Sequence, residues 1–129
     1  VVVVREKDGL RIDIIDKADF AMFSLGTAEI TGRAQNLVRE VAKSLREVPN
    51  KISVRGHTDS LSFGKSEAYR NNWVLSAERA DSTRQLMQAE GISAKRFARI
   101  EGVADTNPSV PNNPSDPRNR RISITVLNN

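Results

Sequence analysis

The chain has 129 residues, 38% of them hydrophobic and 28% charged; a chain of that length buries roughly 65–70% of its unfolded surface around one core, and its apolar fraction excludes a disordered segment. It contains no cysteine and a single histidine, His57, which excludes a disulfide framework, a thiol nucleophile and a thiolate metal site, and leaves His57 without the companion ligands that a catalytic zinc requires, so neither metal nor cofactor is expected. The formal net charge of +4 comes from scattered Lys and Arg, and aromatics are only 5% of residues, so neither a basic stripe nor a base-stacking platform points to nucleic acid.

Val1 to Val4 fall far short of the ~20 apolar residues needed to cross a bilayer. Their abrupt start reads as a fragment whose upstream region carried any membrane anchor, and residues 1–129 as one domain. Lys7-Asp8-Gly9 between β-prone runs predicts a hairpin, with Leu10, Ile12 and Ile14 sharing a face of the second strand. From Ile30, the positions Ala34, Leu37, Val38, Val41, Leu45 and Val48 recur at helical steps, and Pro49 ends the stripe. Ile52, Val54 and Gly56 alternate with Lys51, Ser53 and Arg55, predicting a half-buried central strand that leads into His57-Thr58-Asp59.

After a polar stretch, Asn71 or Asn72 caps a second helix, which carries Leu75, Ala80, Thr83, Leu86 and Met87 inward and stops at Gly91. Ser93 caps a single turn through Phe97, and Arg99 to Val103 reads as a short strand. Pro108, Pro111, Pro114 and Pro117 stand at three-residue spacing between Ala104 and Arg118, predicting an extended, polyproline-like loop. Arg121 to Leu127 closes the chain as a strand with Ile122, Ile124 and Val126 on one face. The order β-β-α-β-α-β-β predicts an α/β chain of the α+β two-layer sandwich type, with two main helices on one face of a mixed sheet.

The chemistry concentrates where the central strand ends and the second helix begins. Asn72, Leu75, Ser76 and Arg79 fall at steps of three and four, on one helix face that shows no obvious core pattern. If that helix start lies beside the strand end, Asp59 and Arg79 border one pocket that suits a zwitterion. Arg79 would grip a carboxylate and Asp59 an ammonium group, with Leu75 as an apolar wall and Thr58 and Asn72 orienting the polar ends. The plain structural alternative is an Asp59–Arg79 salt bridge that pins loop to helix.

Other features weigh less. Gly64-Lys65-Ser66 imitates the tail of a phosphate-binding loop, but Asp59 stands where that motif needs its first glycine. His57 and Asp59 resemble a base and its orienter without a nucleophile, so His57 reads better as a strand-end residue bonded to backbone. No pair among the 16 carboxylates is singled out for glycoside cleavage. Trp73 reads as a lid on the core or, with Tyr69, as an exposed ligand contact, while Arg120 and Arg121 are either an extension of the positive patch or a solvated start to the last strand.

Taken together, Val54-Arg55-Gly56-His57-Thr58-Asp59, Asn72-x-x-Leu75-Ser76-x-x-Arg79-Ala80 and Asn119-Arg120-Arg121-Ile122 resemble the OmpA-like peptidoglycan-binding domain, from about Gly9 to Asn128. Met22-Phe23-x-x-Gly26-x-Ala28, Asn72-Trp73-Val74-Leu75-Ser76-Ala77 and the chain end from Arg120 to Asn128 are most similar to the flagellar motor stator branch of that family. The resemblance implies a βαβαβ-type core, a homodimer in the periplasm anchored to the inner membrane by a missing N-terminal segment, and non-catalytic capture of the diaminopimelate of the peptide stem. Asp59 matches the family aspartate that meets the ligand amine and Arg79 the arginine that meets its carboxylate. Thr58, Asn72 and Leu75 match positions lining the same groove; Ser76, Arg120 and Arg121 are less secure. The stator's channel subunit would be the partner through the missing segment. An OmpA- or Pal-like envelope tether without a motor role is the alternative.

Overall fold

The computed structural model describes residues 1–60 and 71–128. Strands β1 (Val2–Glu6) and β2 (Gly9–Ile15) form an antiparallel hairpin closed by Lys7 and Asp8, the turn that Asp-Gly predicts. Helix α1 (Gly32–Leu45) begins where the Thr31 side chain accepts a hydrogen bond from Ala34 N, an N-cap that satisfies one of the orphan donors of the first turn. Its inward stripe is Ala34, Val38, Ala42 and Leu45, and the helix ends before Pro49, as the sequence requires. Strand β3 (Ile52–His57) leads to helix α2 (Asn72–Ala89), then β4 (Phe97–Gly102) and β5 (Arg121–Leu127). Single turns of 3₁₀ helix precede the last two strands.

The sheet order is β1-β2-β5-β3-β4. Strand β3 runs parallel to β4 and antiparallel to β5; the parallel pair needs a crossover, which α2 supplies. The result is a mixed sheet with two main helices on one face, the predicted α/β sandwich. Between the layers lie Ile14, Val38, Ile52, Val54, Met87, Ile122 and Ile124, all essentially inaccessible to solvent. Alternation along β5 sends Ile122 and Ile124 into that core and leaves Arg121, Ser123 and Thr125 on the face without helices.

Three expectations are corrected. The segment from Ala104 to Arg118 is a succession of turns rather than an extended excursion, with Thr106 N bonded to Val103 O, Asn113 N to Val110 O and Asp116 N to Asn113 O. Asn119 causes this: wholly buried, it accepts from Val110 N and donates to Asn113 O and Pro114 O, so one amide gathers the loop. Trp73 does not cover the core, being 55% exposed. Beside Leu75, which is buried as expected, Ser76 and Arg79 of α2 are buried too, although their polar character hides this in sequence.

Helix α2 approaches the sheet at backbone range. A Cβ at Gly56 would overlap the carbonyl of Ser76, and one at Gly102 would overlap Ala77 N and Ser76 Oγ. Such overpacking against backbone has no flexible side chain to absorb it. Gly56→Ala and Gly102→Ala are each expected to destabilise the fold by about 3 kcal/mol, read as a lowered urea midpoint. Gly32→Ala, with nothing within 4 Å of its added methyl, is the matched control.

Candidate functional site

Beyond the end of β3 the chain is tied to the loop before β5: Thr58 N donates to Ala104 O at 2.9 Å and Ser60 N to Pro114 O at 3.0 Å. These bonds bring Asp59 to Arg120. The Arg120 guanidinium bridges two buried carboxylates, Nε to Asp16 Oδ2 at 2.9 Å and Nη1 to Asp59 Oδ2 at 2.5 Å. Asp16 also accepts from Met22 N at 2.9 Å. Burial works against the Arg120 charge, but the hydrogen bonds to Asp16 and Asp59 outweigh it and raise its pKa above the ordinary arginine value.

Arg79 comes from α2 to the same place and is 6% exposed. Its Nε donates to Thr27 O at 2.7 Å, and its guanidinium carbon lies 4.8 Å from the centre of the Phe23 ring, a cation–π arrangement. Burial lowers its pKa to about 10, which leaves it cationic at neutral pH. Asp16 and Asp59 favour that charge while Arg120 opposes it. Among the described residues neither terminal nitrogen of Arg79 donates a hydrogen bond, so the fork that suits a carboxylate is not consumed by the protein. The salt bridge weighed between Asp59 and Arg79 is therefore not the pairing seen: each has found another partner.

The other sequence candidates divide by location. Asn72 donates to Asp59 O at 3.3 Å, and Thr58 and Leu75 are buried nearby in sequence, with Thr58 Oγ1 lacking any partner. Asn71, not Asn72, is the helix cap, its side chain accepting from Val74 N at 3.0 Å. Ser76 is wholly buried; its hydroxyl donates to Trp73 O and accepts from Ala104 N, both at 3.0 Å, which locks α2 to the end of β4. Arg121 is buried rather than solvated at its strand start, and faces away from Asp59. It donates to Asn119 O and Asn107 O. His57 does not bond backbone through Nδ1, which is buried without a partner. Tyr69 and Gly64-Lys65-Ser66 lie outside the described residues.

Sequence reasoning missed Asp16, Phe23 and the carbonyl of Thr27. Asp16 follows a strand and looks like an ordinary turn residue. The Phe23 segment bends back through Gly26, at φ +67°, and only that bend carries Thr27 to α2.

Residues 22–121 match the OmpA family. The chain belongs to that family. Over 122 residues it is 38% identical to "Motility protein B" of Escherichia coli strain K12, covering 95% of this chain and 40% of that protein. The chain thus spans less than half the length of that relative. The cell wall anchor of the type VI secretion system from Pseudomonas aeruginosa superposes with a TM-score of 0.82 at 32% identity, over 99% of this chain and 87% of that one. The periplasmic domain of Helicobacter pylori MotB superposes with a TM-score of 0.82 at 20% identity, over 96% and 86%. As an OmpA-family domain the chain is non-catalytic, and among its described residues no helix is long and apolar enough to cross a membrane.

Two outcomes test this geometry. Removing the cation that joins two buried carboxylates, by Arg120→Met, is expected to cost roughly 3–5 kcal/mol, with Asp16→Asn recovering part of the loss in a double-mutant cycle. His57 has its pKa lowered from 6.5 to about 3, first by burial and then by Arg121, Arg55 and Arg11. Its neutral form is favoured by folding, so that contribution is complete above pH 6.5 and declines as pH falls toward 3. The slope approaches ~1.4 kcal/mol per pH unit, and urea midpoints measured across that range should flatten in His57→Gln.

Proposed function

We propose that this domain binds the diaminopimelate-bearing peptide stem of peptidoglycan and holds an inner-membrane-anchored protein to the cell wall. The observation that carries the reading is Arg79, a buried, charged guanidinium whose terminal nitrogens donate no hydrogen bond among the described residues, set in the same cluster as Asp59. The ligand carboxylate would take the Arg79 fork, and the ligand ammonium would join Arg120 on Asp59, whose carboxylate has lone pairs for more than one donor. Asp16, Asp59, Arg79 and Arg120 sum to zero charge, and a zwitterion preserves that balance where a lone anion or cation would not. Thr58 Oγ1, buried without a partner, would supply a further polar contact, with Asn72 and Leu75 lining the groove.

Within that class, the likeness to "Motility protein B" supports a flagellar stator anchor: the wall provides the fixed point against which torque is generated. The chain would then act in the periplasm as a homodimer, joined to its channel subunit through an N-terminal membrane segment. With few contacts per site, two copies on one repetitive polymer would hold by avidity. The likeness to a secretion-system wall anchor supports the second reading, an envelope tether with no motor role.

The primary test is co-sedimentation with insoluble diaminopimelate-type peptidoglycan. Wild type is expected in the pellet, while folded Asp59→Ala and Arg79→Ala remain in the supernatant, with about tenfold or greater loss of binding for the loss of a charge-assisted contact. Full retention by Arg79→Ala would overturn the site assignment. Deleting the gene separates the two readings: a stator anchor leaves assembled but non-rotating flagella, whereas a plain tether leaves swimming intact.

A further inference from the structure

The face of the sheet that carries no helix holds a second polar site, opposite the one above. There a cleft of about 170 Å³ is floored by β3 and β5 and walled by the loop at Asn107. That is below the roughly 300–1,000 Å³ of pockets for drug-sized ligands, and fits a small ion rather than a polymer.

Its cations are not equally neutralised. Arg11 is paired with Glu6 at 2.6 Å and Asp13 at 3.1 Å, while Arg55 and Arg99 share Glu101 at 3.2 and 3.8 Å. Arg121 differs from all three. It is 8% exposed, its guanidinium bonds only to the carbonyls of Asn119 and Asn107, and no carboxylate lies within salt-bridge range of it among the described residues. Carbonyl acceptors orient a guanidinium without cancelling its charge; Asp13 favours that charge from beyond ion-pair range but is itself held by Arg11 and Ser123, and a buried cation without a direct counter-ion is costly. Directly across the strand pair from Arg121 stands His57, which lines the cleft with its Nδ1 unpartnered. Ser53 and Thr125, also on the cleft, make no side-chain hydrogen bond among the described residues.

We infer that this cleft binds a small oxyanion of the phosphate class, with Arg121 as its principal ligand and Arg55, Ser53 and Thr125 as further donors. A planar guanidinium paired with hydroxyl donors is the chemistry that recognises phosphate oxygens. Burial and then Arg121, Arg55 and Arg11 oppose the protonation of His57; Glu6, Asp8, Asp13, Glu101 and Arg99 are the other charged groups on this face. A tetrahedral oxyanion would compensate Arg121 and place an acceptor or proton partner beside the imidazole. Free phosphate and the phosphodiester of an anionic lipid headgroup share this chemistry.

His57 is the sole histidine, so its ring resonances give an unambiguous probe of the cleft at neutral pH. Sodium phosphate is expected to move them saturably, beyond any change produced by sodium chloride at equal ionic strength. Arg121→Gln should weaken that response about tenfold or more. Because Arg121 also ties the Asn107 loop, Arg55→Gln on the exposed rim serves as a second variant, expected to weaken binding several-fold while keeping the thermal midpoint. Vesicles of phosphatidylglycerol in phosphatidylcholine, set against phosphatidylcholine alone, form the other arm. A response to free phosphate or only to the anionic vesicles supports the site and names its source; chloride-like behaviour with both overturns it. Arg55→Gln should still pellet with peptidoglycan as wild type does, so this outcome is separable from peptidoglycan binding.

Discussion

Helix α2 lies on the sheet at a distance that only glycine permits, and the rest of the molecule is arranged around that approach. Gly56 on β3 and Gly102 on β4 face the backbone of Ser76 and Ala77, and the Ser76 hydroxyl ties the same turn of helix to Ala104 N. Hydrophobic contact alone would leave a helix on a sheet some freedom to slide. Backbone contact at two adjacent strands removes that freedom. It sets Arg79, one turn further along α2, in register with the strand end that carries Asp59.

That register matters because the charges at the strand end are buried and must be balanced locally. Arg120 neutralises one carboxylate from the β2 side and one from the β3 side, so the ion bridge also fastens the loop before β5 to both. Arg79 completes an electroneutral set, yet spends its stacking face on Phe23 and one donor on Thr27. Such an electroneutral set would take the proposed ligand of mixed charge with little electrostatic penalty. It also differs from the opposite face of the sheet, where, among the described residues, Arg121 hydrogen-bonds to carbonyls alone. The alternation of β5 is what separates them: consecutive arginines at 120 and 121 are delivered to different sides of one sheet.

Much of the fold was legible because its signals are local. The hairpin turn, the caps at Asn71 and Ser93, the stripe of α1 and the alternation of β5 each arise within a few residues. The buried face of α2 was harder to read: Ser76 and Arg79 count as polar by composition, and become interior only because a carbonyl, a backbone N–H and an aromatic ring come to meet them. The turn-rich loop from 104 to 118 misled for a related reason. Its proline spacing favours extension, and the buried side chain of Asn119, which follows it, imposes the turns.

The sequence by itself determined the order of elements, the two-layer class and the position of the candidate site at the end of β3, because periodicity and turn chemistry act over neighbouring residues. Only the tertiary structure decided the partners of the charges. Asp59 meets Arg120 across 61 positions and Arg79 meets Thr27 across 52. Neither pairing has any local signature, since a guanidinium can meet a carboxylate or a carbonyl from any point in the chain. Which of them it reaches is set by how closely glycine lets the helix and sheet approach, and by which face each strand residue is turned to.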